Sequence, residues 1–134
     1  MTTLNEARQV VYNTFVDDWG DETPYDLEDD DFTEPESGNW VRLTIKGLPG
    51  GQESLNSKGK RRYIRRQLLV VEVYGQPRTG EYNEDVYAER IRDLFEGETI
   101  GGVVFNDGDI MPEGTKNNWR RVSVTVQFQY YEIK

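Results

Sequence analysis

Residues 121–133, RVSVTVQFQYYEI, decide how the chain is read. Val122, Val124, Val126, Phe128 and Tyr130 fall on one face of an extended backbone, and Ser123, Thr125, Gln127 and Gln129 on the other. Side chains alternate across a strand, so this period of two predicts a strand with one buried and one wetter face. Residues 63–74, YIRRQLLVVEVY, predict a second strand beside it. Here Leu69, Val71 and Val73 take one face while Leu68 and Val70 fill the other. A strand apolar on both faces predicts a central place in the sheet, covered from two sides.

Working outward, residues 40–46, WVRLTIK, turn Val41, Leu43 and Ile45 inward and predict the first strand. Residues 47–60 are rich in Gly, Ser and Asn and are expected as a long irregular tip joining the first two strands into an extended hairpin. Residues 100–105 predict a short third strand, placed at an edge because Gly101 and Gly102 weaken it. Residues 106–118 are expected as a second long tip, with the closing strand starting near Trp119. Thr3 and Glu6 fit a capping box, and Leu4, Ala7, Val11, Phe15 and Trp19 recur at helical spacing, which predicts a helix over 4–18 ended by Gly20. Asn83 can cap a second helix in which Tyr87, Ala88, Ile91, Leu94 and Phe95 share a face, ended by Gly97. Residues 20–39, GDETPYDLEDDDFTEPESGN, scatter three apolar residues among acids and are expected as a loop or arm.

The order is then helix, strand, strand, helix, strand, strand. Two hairpins, with the last strand beside the second, predict an α+β two-layer sandwich: a four-stranded, mostly antiparallel sheet in the order first, second, fourth, third, with both helices on one face. A single domain over residues 1–134 is expected, with 20–39 irregular and 47–60 a hairpin tip.

Composition narrows the chemistry. The chain holds no cysteine and no histidine, which removes disulfides, thiolate or imidazole metal sites and Cys or His nucleophile–base pairs. No apolar run approaches a membrane span, and the N-terminus lacks a signal-peptide pattern, so no membrane partner and no export are expected. The net charge of −9 is uneven: residues 1–36 hold twelve acids and one base, and the rest is close to neutral. Such a protein is repelled by phosphate backbones unless a local basic surface overrides the field.

Candidate catalytic patterns fail one by one. Asp29, Asp30 and Asp31 are consecutive, and nothing arranges them around a site. Residues 106–109, NDGD, lack the ligand spacing and closing Glu of a calcium loop and read more simply as a turn. Gly59-Lys60 ends like a phosphate loop, but Ser54 stands where the first Gly belongs and Arg61 where Ser or Thr would bind magnesium. The serines have no histidine base. No catalytic residue, cofactor site or metal ligand is expected, and the chain is not expected to be an enzyme.

The run Lys58, Lys60, Arg61, Arg62, Arg65 and Arg66 places six bases in nine residues and is the one feature that asks for a partner. Its bland alternative is a solvated strand end. On a straight strand Arg61 and Arg65 point one way and Arg62 and Arg66 the other. That splits the charge where a phosphate-tracking groove wants one face, and Tyr63 is the sole aromatic in the run. Charge on both sides of a protruding hairpin suits an element gripped by neighbouring proteins.

In this arrangement the chain resembles the tail terminator proteins of long-tailed bacteriophages. The likeness runs over LNEARQVVYNTFVDDWG and TPYDLEDDDF, WVRLTI, AERIRDLFEG with IGGVVF, and NNWRRVSVTVQFQYYEI. It is a pattern of elements and aromatic positions over nearly the whole chain, and it brings no active-site residues. The acidic 20–39 segment departs from any regular element of that pattern. The resemblance implies a ring homo-oligomer, commonly a hexamer, on the head-proximal end of the tail tube in the virion, assembled in the host cytoplasm. Such a ring stops the tube growing and presents the surface that joins the head, with the tube protein and head–tail connector proteins as partners. The genome passes through the ring without sequence-specific binding, and no cofactor is implied. Another head–tail connector or neck protein is the alternative, followed by a small nucleic-acid-binding module resting on residues 58–66; an unrecognised hydrolase is least favoured. In a ring each contact joins two different surfaces, which points to Lys60, Arg61, Arg62, Arg65 and Arg66 of one subunit meeting Asp29, Asp30 and Asp31 of the next.

Overall fold

The computed structural model describes residues 3–28, 32–52, 54, 57–77 and 83–134. Helix α1 spans Leu4–Trp19, strand β1 Tyr25–Asp26, β2 Trp40–Gln52, β3 Arg62–Gly75, helix α2 Asn83–Phe95, β4 Thr99–Ile100, β5 Val103–Lys116 and β6 Trp119–Ile133. The six strands form one sheet in the order β1-β2-β3-β6-β5-β4. β1 runs parallel to β2 and the remaining pairs are antiparallel.

The expected four-stranded sheet is therefore corrected to a six-stranded, mixed and curled one. Two residues are too few to show a period of two, so Tyr25–Asp26 and Thr99–Ile100 leave no mark in the sequence. They are strands only because β2 and β5 lie beside them.

Register explains the core. Val41, Val73 and Val122 lie side by side, as do Leu43, Val71 and Val124, and Ile45, Leu69 and Val126. All nine are buried, and both helices pack on that face. α1 contributes Ala7, Val11, Phe15 and Trp19, and α2 contributes Ala88, Ile91 and Phe95. Leu4, expected on the buried stripe, is 46% exposed one turn before it. Thr3 caps α1 as its spacing predicts, its hydroxyl accepting the Glu6 N–H at 3.2 Å and donating to the Glu6 carboxylate at 3.1 Å.

Among the described residues no helix lies on the opposite face. Leu68 lies between Lys46 and Gln127, and Val70 between Thr44 and Thr125. Both are half-buried, so β3 is central as expected but covered from one side only. Polar neighbours in the same rows make that face tolerable in water without a second layer.

Both expected tips are shorter than read. β2 continues past residue 46 to Gln52, with its pairing to β3 shifted between Leu48 and Gly51. Gly50 sits in that shift, where a Cβ would run into the Ile64 carbonyl, so the close approach of the two backbones needs a glycine. β5 extends from Val103 to Lys116, leaving Asn117 and Asn118, at φ 53° and 65°, as the turn into β6. Left-handed Asn residues suit a tight hairpin, and this pair replaces the expected thirteen-residue tip over 106–118. The NDGD stretch is a bulge within β5, between Phe105 and Gly108, and not a turn. Glycine and proline mark bulges as well as loops, which is why composition alone placed the ends wrongly.

Candidate assembly surface

The β2–β3 hairpin carries the basic run to one end of the sheet, beside the C-terminal end of β6. Arg62 pairs with Ile133 and Arg65 with Tyr130. Alternation divides the side chains as expected. Arg65 lies on the helix side, where its Nε and Nη2 donate to Glu132 at 3.2 and 3.0 Å and its guanidinium stands 4.9 Å over the Tyr63 ring. Lys134 joins the same carboxylate at 3.8 Å. Arg62 and Arg66 lie on the open side. The Arg62 guanidinium stacks 3.8 Å over Tyr131, and Arg66 reaches the Pro49 carbonyl at 3.5 Å. Lys60 closes a turn through its N–H to the Ser57 carbonyl at 2.9 Å, and the Arg61 carbonyl accepts from the Lys134 N–H at 2.9 Å. Asp29, Asp30 and Asp31, the expected counterparts, lie outside the described residues.

The acids that precede them are held by the chain's own bases. Arg90 on α2 grips Asp18 at 3.2 Å and Glu22 at 3.6 Å while standing 4.7 Å over Trp19. Arg42 on β2 donates to Asp26 at 2.9 Å, and Arg8 on α1 to Glu28 at 2.7 Å. Three arginines far apart in sequence thus fasten the N-terminal part of the acidic segment, up to Glu28, to both helices and to the sheet. Arg8, Arg42 and Arg90 were missed by sequence reasoning, because each is a single base whose partner is fixed only by the fold.

Tyr12 shares Glu28, donating its hydroxyl at 3.2 Å. Burial first, and then the Glu28 charge, push that hydroxyl from 10.0 up to about 12. A raised folded-state value means that the neutral phenol is favoured by folding. Its contribution is complete below pH 10.0 and lost as the pH rises through about 12. Melting temperature measured across that window is expected to fall less steeply in Tyr12→Phe than in the unmodified chain. Parallel curves would mean that Tyr12 ionises as freely in the fold as outside it.

At the other end of the sheet an aromatic cluster occupies the open face. Trp40 and Tyr74 are cross-strand partners stacked 4.0 Å apart at 5°, Trp119 meets Trp40 edge-on at 5.9 Å, and Phe32 stacks on Trp40 at 5.1 Å. The Arg42 guanidinium stands 5.1 Å over Trp40. The Tyr74 hydroxyl donates to Glu72; burial, then that hydrogen bond, raises its pKa. Beneath this end Glu84 of α2 is 2% exposed, with Arg120 Nε 2.9 Å from its carboxylate and Asp85 3.5 Å from the same guanidinium. A hollow of about 270 Å³ opens between Glu34, Arg42, Glu72, Tyr74, Trp119 and Arg121. Its arginines already face carboxylates, Arg42 to Asp26 and Arg121 to Glu72 at 3.9 Å.

No known protein family and no curated protein matches this sequence. Solved structures do. One chain superposes with a TM-score of 0.66 at 17% identity over 92% of this chain and 94% of its own. A second belongs to a structure described as the virion of a native gene transfer agent particle. It superposes with a TM-score of 0.57 at 14% identity over 93% of this chain and 94% of its own.

The chain shares its fold with a virion component.

At these identities the likeness is one of fold, over 92% and 93% of this chain. Among the described residues no group of three or more acids could hold a metal ion, and no helix is long and apolar enough to cross a membrane. What the surface offers is charge arranged at the ends and edges of a sheet, the kind of arrangement that orients one protein on another.

Proposed function

We propose that the chain is a structural protein of a phage-like particle, a tail terminator that closes the head-proximal end of the tail tube as a ring. The whole-chain likeness in fold to a chain of a gene transfer agent virion carries this reading, and the pattern of elements and aromatic positions supports it independently. The role is a capping one. One ring face reproduces the complementarity of a tube ring, and the other lacks the surface that the next tube subunit binds. It then joins the head–tail connector. Nothing in this needs turnover, a metal or a cofactor, and the subunit acts by geometry, most simply as a hexamer.

The open-face bases Arg62 and Arg66 are the proposed contacts of the hairpin with a neighbouring subunit, with Asp29, Asp30 and Asp31 as counterparts. Exposed pairs contribute roughly 0–1 kcal/mol each, so several must act together to orient the subunits. A neck protein elsewhere in the head–tail connection draws equal support from a virion neighbour. Purified protein added to growing tail tubes separates the two: a terminator is expected to form rings at one tube end, visible by electron microscopy, and to stop elongation. Tubes that stay bare and keep growing would exclude the terminator role.

A further inference from the structure

Among the described residues the sheet has two long edges that its short strands leave unpaired. β1 pairs with β2 only at Val41 and Arg42, so the outer edge of β2 over residues 43–52 has no backbone partner among the described residues. On the far side β4 pairs with Val103 and Val104 of β5. The cover continues to Gly108, whose N–H donates to the Glu96 carboxylate at 2.8 Å. Over residues 109–116 the outer edge of β5 has no backbone partner among the described residues either. An unpaired edge is a template for another strand.

The two edges carry opposite charge. β2 offers Arg42 and Lys46 and no acid, while β5 offers Asp107, Asp109 and Glu113, with Lys116 at its tip. Lys46, Asp107 and Asp109 are exposed and have no ion pair among the described residues. Lys46 pairs in register with Leu68, and Asp109 with Thr125, which puts both side chains on the open face of the sheet. Two β2 edges brought together would set base against base, and two β5 edges acid against acid. Only β2 against β5 is complementary, and a contact between two different surfaces propagates into a ring or a filament instead of closing a dimer.

Polarity agrees. Across the order β2-β3-β6-β5 each neighbour is antiparallel, so β5 runs opposite to β2. A copy related by rotation about an axis along the strands brings its β5 antiparallel to the β2 of its neighbour. The uncovered part of β2 lies toward the basic hairpin and that of β5 toward the opposite end. The two therefore meet only with a stagger, which is what strand tilt supplies when sheets close into a barrel. Pro49 and Pro112 interrupt each edge, leaving residues 43–48 and 109–111 as the stretches able to form a ladder.

We propose that subunits join by antiparallel pairing of residues 43–48 of one copy with residues 109–111 of the next, Lys46 facing Asp107 and Asp109 across the seam. This rests on the ring reading and supplies the contact that closes it. The open faces then form one continuous surface around the ring.

The unmodified protein tests it. A carbodiimide couples amines to carboxylates only in direct contact. Within one chain β2 and β5 are separated by β3 and β6, about 14 Å at the usual strand spacing, so the coupling must cross between molecules. Rings formed on tail tubes from a mixture of isotopically light and heavy protein are expected to yield mixed Lys46–Asp107 or Lys46–Asp109 peptides by mass spectrometry. Lys46→Glu, at an exposed position, is expected to melt as the unmodified chain does and to lose ring formation; adding Asp107→Lys and Asp109→Lys is expected to restore it. Rings that form without these peptides, and equally well with Lys46→Glu, would overturn the seam while leaving the ring reading intact. Unmodified protein that forms no rings on tubes would overturn both.

Discussion

Arg120→Ala is expected to lower the stability of the fold by about 3–5 kcal/mol, the usual cost of stripping the partner from a buried charge. Glu84 is 2% exposed, and the Arg120 guanidinium lies 2.9 Å from its carboxylate. Gly75, the cross-strand partner of Arg120, leaves the room that carboxylate occupies, since a Cβ there would collide with it. Without Arg120 the carboxylate must ionise unpaired, take up a proton or drag α2 away from the sheet. Arg120 is itself 23% exposed, so water screens part of the interaction and the lower end of the range is the better guide. Glu84→Gln in the Arg120→Ala background removes the stranded charge and is expected to recover part of the loss. Denaturant midpoints at unchanged slope measure both. An Arg120→Ala protein as stable as the unmodified one would mean that the carboxylate is satisfied by something other than Arg120.

Trp40→Ala is expected to cost about 3–5 kcal/mol, the range for deleting a large aromatic side chain from a packed site. Trp40 is fully buried although it lies on the face that no helix covers. Tyr74, Trp119, Phe32 and Arg42 enclose it instead. Its loss opens a cavity that joins β2, β3 and β6 to the acidic segment, so the end of the sheet is expected to loosen with it. Trp40→Phe keeps a ring over Tyr74 and is expected to cost distinctly less. The indole N–H it removes has no hydrogen-bond partner among the described residues, so none of their polar groups is stranded. Equal losses for the two variants would show that the indole, and not the stack, holds the cluster. Hydrogen exchange at Val41, Val73 and Val122 reports where the loosening spreads.

Both residues show where sequence reading stopped. Trp40 reads as the first residue of an amphipathic strand, and nothing local announces that Tyr74 and Trp119 will meet it. Glu84 reads as an acid in the first turn of a helix, a position that ordinarily faces water. Its burial follows from the docking of α2 over Arg120, thirty-six positions later. The basic run was legible and so was its division between two faces, because strand alternation is a local property. That Arg65 turns to Glu132 was not, since Glu132 comes beside it only when β6 pairs with β3.

The sequence by itself determined the two helices, the order of four strands and the core face of three of them, because burial leaves its period in the side chains. The third strand, expected as a short edge strand over 100–105, is the longer β5, with β4 outside it. Only the tertiary structure decided the rest. The glycines and prolines of β2 and β5 could mark loops or bulges, and a neighbouring backbone settled which. β1 and β4 exist through their partners alone. The edges that they leave bare, one basic and one acidic, lie on opposite sides of the same sheet, and strand order, which no local pattern encodes, put them there.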